Sequence, residues 1–292
     1  MNKDVCEKFK NVTTNLKYDS NNESYKFINN EYFQEYCTGD SCDNDLDKIN
    51  AGCLYLFDAF FKDISAFRMT VKGNIDIVEY ILIWLSYMLS LIKSKEDNRK
   101  HFYNTYIMDG DEYTNNINYI IDFDGYKDLI DKNYYILNMD ISIISRLYDA
   151  FNTLCDIYNG LDTNSSNCAN YSEKARQFIQ KYEEFNIDHN ITKDKPYFHA
   201  LITILNGYDN LKNECEDFPS TPDITNIISE HASEVTSSSS IASKLIPILS
   251  ILVAIAIFLG ISYKYSLFGF RKRGQKQYLR EKIKIIKKKM NH

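Results

Sequence analysis

A run of 19 uncharged, mostly apolar residues, Leu245 to Tyr263 (LIPILSILVAIAIFLGISY), lies near the C-terminal end of this 292-residue sequence. As a helix rising ~1.5 Å per residue it reaches about 28 Å, close to the roughly 30 Å hydrocarbon core of a bilayer. Pro247 falls in the first turn, where a missing N–H costs least. The competing assignment, a buried helix of a soluble core, would have to hide the whole run directly before a strongly basic segment. The sequence therefore predicts one membrane-spanning helix over 245–263.

Charge divides sharply at this run. Residues 264–292 carry 11 Lys or Arg and one acid, Glu281, a balance of +10. Residues 1–244 carry 23 basic and 39 acidic residues, a balance of −16. Basic residues beside a span favour the cytoplasmic side, which predicts an acidic domain outside and a short basic tail inside. Within the tail, Arg271, Lys272, Arg273, Lys287, Lys288 and Lys289 are the expected membrane-surface contacts, each attracting anionic lipid by about 1 kcal/mol. Leu279, Ile283, Ile286 and Met290 recur at helical spacing, which suits a basic amphipathic helix lying on the inner face. A solvated tail that only sets topology is the alternative. Met1 to Lys10 has no apolar stretch and does not read as a secretory signal. Orientation is then expected from the span itself or from an unusual export route. If the domain is never translocated, it stays cytosolic on a C-terminal anchor.

The 244 residues before the span are long enough for a sizeable core. They hold few breakers: the whole chain has 10 Gly and 4 Pro against 23 Tyr and 17 Phe. Helical periodicity runs through Leu54, Phe57, Phe60, Phe61, Ile64 and Phe67, and again from Ile141 through Leu147, Phe151 and Leu154 to Tyr158. Ala175, Phe178, Ile179, Tyr182 and Phe185 repeat it, as do Phe198, Leu201, Ile202, Leu205, Tyr208 and Leu211. No comparable alternating series marks strands, so the expected class is all-α. Residues 77–92 (IVEYILIWLSYMLSLI) are apolar, but the run is short for a span and contains Glu79, so a buried core helix is expected. From Asp217 the composition turns to Pro219, Pro222 and the serines of 237–240, suited to a flexible stalk. The expected organisation is a helical ectodomain over 1–216, a stalk over 217–244, the span over 245–263 and the tail over 264–292.

All seven cysteines, Cys6, Cys37, Cys42, Cys53, Cys155, Cys168 and Cys215, precede the span. An oxidising exterior would allow three bridges with one thiol left over, and spacing does not reveal the pairing. Sequons for N-glycosylation begin at Asn11, Asn22, Asn164, Asn170 and Asn190. No C-x-x-C occurs and the histidines lack ligand spacing, so no metal is expected. Residues 43–47 (DNDLD) begin like a calcium loop, but Lys48 takes the Gly position and Leu54 the terminal Glu position. Nucleotide, phosphate, zinc-protease and serine-hydrolase signatures are all absent. The chain is expected to have no catalytic residues, no cofactor, no enzymatic activity and no nucleic-acid partner.

Several segments are similar to one known family. KYSLFGFRKRGQKQYLREKIKIIKKKM (264–290), directly after the span, is the most specific. CLYLFDAFF (53–61), YILIWLSYMLS (80–90) and LYDAFNTLCDIY (147–158) add to it, with Cys6 followed by the group Cys37, Cys42 and Cys53. Together they cover nearly the whole chain, which resembles the PIR (Plasmodium interspersed repeat) proteins of malaria parasites, the rodent-parasite branch most. The resemblance implies a variant antigen exported to the surface or cytoplasm of the infected red cell, acting in immune evasion, adhesion or persistence. Its partners would be the bilayer, anionic lipid at the tail, and a host receptor or antibody of unspecified identity. The sequence has no R-x-L-x-E/Q/D export motif. Exposed epitopes are expected on the polar stretches 105–128 and 159–170. The alternative function is a C-terminally anchored intracellular trafficking or scaffold protein with a cytosolic helical domain.

Overall fold

The structure, a computed structural model, describes residues 1–221 apart from 38–41, 95–96, 109, 115–116, 118, 121–122, 163–166 and 188–194. The first helix, α1 (Lys3–Asn15), starts where the Asn2 side chain accepts from the Val5 N–H at 3.0 Å, a polar cap for an otherwise orphaned donor. It buries Val5, Cys6, Phe9 and Val12, one stripe at helical spacing.

A hairpin follows, which the all-α expectation lacks. Strands β1 (Leu16–Asp19) and β2 (Ser24–Phe27) pair antiparallel, with Leu16 opposite Phe27 and Tyr18 opposite Tyr25. The turn is fixed by Asp19, whose carboxylate accepts from the Asn21 N–H and the Asn22 side chain, and by Glu23 at φ 50°. Four-residue strands offer too little alternation to stand out in a helix-rich sequence. The described chain is therefore helix-rich with one small hairpin.

The acidic stretch 43–47 is a helix start. Asn44 and Asp47 form a reciprocal capping box at the head of α2 (Asp45–Phe61), and Asp45 accepts from the Tyr25 N–H at 2.8 Å. The periodic series from Leu54 to Phe67 does not run through one helix. It breaks at Asp63, which caps a separate short helix, α3 (Ile64–Met69), by accepting from the Ser65 and Ala66 N–H groups. A turn with Lys72 and Gly73 at positive φ leads into α4 (Ile77–Ser90).

Helix α4 is buried nearly all round: 12 of its 14 residues are buried, Glu79 and Ser86 among them. It is a core helix, and no helix of the described residues is long and apolar enough to cross a membrane. Next come α5 (Asn98–Phe102), running on into a π-turn at Tyr103–Met108, then α6 (Tyr126–Lys132) and α7 (Ile141–Gly160). Helices α8 (Ser172–Ile187) and α9 (Lys195–Glu214) complete the set. The sequence periodicities at 141–158, 175–185 and 198–211 fall on α7, α8 and α9. Helix α7 sits at the centre, packed against α1, α4, α8 and α9, while α2 packs on α1 and α4. After α9 the chain folds back: Phe218 is buried, and the Tyr208 hydroxyl donates to the Pro219 carbonyl at 2.9 Å.

Candidate functional site

What the fold offers for function is a surface held by covalent bridges and buried tyrosines. Six of the seven candidate cysteines pair as Cys6–Cys155, Cys37–Cys42 and Cys168–Cys215. The first ties α1 to the middle of α7. The second closes a tight loop before α2. The third joins the turn that precedes α8 to the residue just after α9. Cys53 differs from the other six: it lies fully buried in α2 and makes no bridge. Burial pushes its thiol up to about 12, outweighing the opposing hydrogen bond with Tyr113. It serves as a small core residue.

Tyrosine hydroxyls stitch the elements together by reaching backbone carbonyls or carboxylates. Tyr25 donates to the Met88 carbonyl at 2.7 Å, Tyr80 to Thr203 at 2.7 Å and Tyr158 to Gly207 at 2.7 Å. These fasten the hairpin to α4, α4 to α9, and α7 to α9. Desolvation raises the pKa of Tyr25, Tyr80 and Tyr158, so each stays a neutral donor. An aromatic body with one polar tip suits this task, because the ring fills the core while the hydroxyl satisfies a buried acceptor.

One buried carboxylate belongs to the same lattice. Glu79 Oε1 accepts from the Tyr135 hydroxyl at 2.6 Å and lies 2.5 Å from His199 Nδ1. This cluster pins α9 and the 3-10 turn at Tyr134–Asn138 to α4. Burial first, then Glu79 itself, raise the Tyr135 pKa. A carboxylate that is 1% exposed needs such partners, since an unpaired buried charge is strongly destabilising.

Among its described residues, the stretch 105–128, expected to carry exposed epitopes, is in part a strap over α2, while Thr105, Met108, Asp111, Glu112, Thr114 and Asp124 stay exposed. Its Tyr113 hydroxyl donates to Asn50 at 2.8 Å and Tyr126 to Asp58 at 2.9 Å, while Tyr119 reaches the Phe61 carbonyl. Ile107, Tyr113, Ile117 and Tyr126 are buried beneath it. The described part of the strap owes its placement to these side chains, spaced too irregularly to register as a helix or strand. Beside it a cleft of about 110 Å³ is lined by Glu35, Tyr36, Cys37, Leu54, Asp58 and Glu112. Asp58 there already accepts from Tyr36 and Tyr126 and pairs with Lys62.

The sequons separate by geometry. Asn11 lies within α1 and donates its amide to the Tyr55 hydroxyl at 2.8 Å, so it is committed to packing. Asn22 sits exposed in the hairpin turn and Asn170 exposed before α8. Asn164 and Asn190 lie outside the described residues. So do the apolar run 245–263 and the expected membrane-surface residues Arg271, Lys272, Arg273, Lys287, Lys288 and Lys289. Among the described residues, no group of three or more His, Cys, Asp or Glu side chains could hold a metal ion.

Comparison with known proteins bears on the whole arrangement. A family model described as Plasmodium variant antigen protein Cir/Yir/Bir matches residues 6–264. Among solved structures, one described as a Plasmodium PIR protein ectodomain is similar at a TM-score of 0.60 and 30% identity. That match covers 75% of this chain and 96% of the other. No curated protein matches. A family match running from the first cysteine through the apolar run, with a helical ectodomain of the same fold beside it, gives the assignment: the chain belongs to the Cir/Yir/Bir variant antigen family of Plasmodium.

Proposed function

We propose that this chain is a single-span variant surface antigen of the malaria-infected red cell. Its helical domain faces outward, where it acts in immune evasion or host-cell interaction through its exposed surface. The observation that carries the reading is the family match over residues 6–264, which includes the apolar run at 245–263. Two features support the orientation. The basic tail follows that run directly, and basic flanks favour the inner side. The three bridges of the domain fit an oxidising exterior better than a reducing cytosol. The tail residues Arg271 to Arg273 and Lys287 to Lys289 then lie against anionic lipid of the inner leaflet.

Catalysis plays no part in this reading. The buried polar groups of the domain serve to fasten helices, and its variable surface is what an antibody or receptor meets. Alkaline carbonate extraction of infected-cell membranes tests the first step. The protein is expected to stay with the membrane pellet; release into the supernatant would remove the span and the proposal with it. Staining of intact, unpermeabilised cells with antibody to the 1–216 domain tests the second, and a signal only after permeabilisation would place the domain inside.

A further inference from the structure

Two of the three bridges close long loops, and they lie in series. Cys6–Cys155 spans 149 residues and Cys168–Cys215 spans 47. In chain order the first loop is closed before the second opens, so the two do not interlace. Tension between Met1 and Thr221 therefore runs along only three stretches of backbone: Met1 to Cys6, Cys155 to Cys168, and Cys215 to Thr221. Together these make about 24 residue steps, or about 80 Å fully extended at ~3.4 Å per step. The same 221 residues without bridges would extend to about 750 Å.

The C-terminal bridge stands where a stalk would pull. Load from the stalk, once past the attachments of Pro219 and Phe218, meets Cys215 directly after α9. Without a covalent partner there, it would lift α9 from its C-terminal end turn by turn. The side-chain bonds resisting this near the exit include Tyr208 to the Pro219 carbonyl at 2.9 Å and Lys212 to the Phe218 carbonyl at 3.2 Å. The bridge instead passes load to Cys168, then along residues 155–168 to Cys155 in α7. Cys6 joins that point to α1. Load thus reaches the helix against which α1, α4, α8 and α9 all pack.

We propose that the two serial bridges form a mechanical clamp, keeping the domain folded when it is pulled through its C-terminal stalk. The use of such a clamp rests on the anchored reading above, since only a tethered domain is loaded there. The bridge that matters most for the exit is Cys168–Cys215, because it routes load past α9 to the C-terminal end of α7.

Single-molecule pulling on the full chain in detergent micelles tests this, with handles at Met1 and inserted after Thr221. The oxidised protein is expected to reach a contour length of about 80 Å between handles, and the reduced protein about 750 Å. C168S/C215S should add about 160 Å and C6S/C155S about 500 Å to the oxidised value. These lengths report covalent connectivity, so a variant that fails to fold still gives its answer. C168S/C215S should also release its added length at a lower force than any rupture of the oxidised parent. An oxidised contour length far above 80 Å would overturn the series of bridges. An unchanged first-rupture force in C168S/C215S would overturn the clamp even if the lengths hold. Neither result depends on membrane orientation, which protease access to intact cells tests separately.

Discussion

Helices α4 and α9 differ in apolar content, and they are held in different ways. Helix α4 is enclosed by its neighbours, with only Tyr87 and Ser90 partly open. Enclosure fixes its position, and the cost is polar: Glu79 Oε2, Trp84 Nε1 and Ser86 Oγ are buried with no hydrogen-bond partner among the described residues. Helix α9 buries one side, through Leu201, Ile204, Leu205, Tyr208 and Leu211, and leaves Asn206, Asp209 and Asn210 exposed. It is held by that stripe, by tyrosines reaching in from α4 and α7, and by the bridge beyond its C-terminal end. A helix surrounded on all sides is fixed chiefly by enclosure, and α4 carries no covalent bridge. One at the edge, where the chain leaves the domain, is secured by local fastenings.

The contrast can be broken most strongly at Trp84, whose ring is fully buried. Trp84→Ala is expected to cost about 4 kcal/mol in urea unfolding, because the site cannot collapse around so large a void. Loss should be cooperative, with amide exchange rising across the whole domain. C168S/C215S is expected to cost about 3 kcal/mol. Its exchange should rise first in α9 and leave α4 protected, and uniform exchange would contradict the comparison. Gly52→Ala tests the tightness of the centre, since a Cβ there would lie 3.0 Å from Trp84 Cη2 and 3.2 Å from Leu16 Cδ2. A loss of about 2 kcal/mol is expected from overpacking in thermal melts. The smallest effect has the opposite sign. Ser86→Ala should gain about 1 kcal/mol in urea unfolding, because it removes a buried hydroxyl with no partner.

The same contrast explains how much could be read from the sequence. The stripes on α7, α8 and α9 repeat at helical spacing for several turns, so their helices are visible without any coordinates. The core role of residues 77–92 was legible from its length and from Glu79. The partners of Glu79 were not, because Tyr135 and His199 lie 56 and 120 positions away. The hairpin escaped notice because its strands are four residues long, although Asp19 to Glu23 has turn composition between alternating Leu16, Tyr18, Tyr25 and Phe27. The strap over α2 was hidden for a related reason: its anchors Tyr113, Tyr119 and Tyr126 meet partners on α2 that lie 58 to 68 positions away, which no local periodicity records. Cysteine count indicated three bridges and a remainder, while the pairing and the buried position of Cys53 depend on the tertiary fold.

The proposed topology puts an acidic helical domain and a basic tail on opposite sides of a membrane. Protease shaving of intact infected cells tests it most directly, with separate probes for residues 4–244 and for the tail. Loss of the domain signal is expected, together with survival of a short fragment that keeps the tail epitope. A domain left whole on intact cells, and digested only after the membrane is opened, would contradict it.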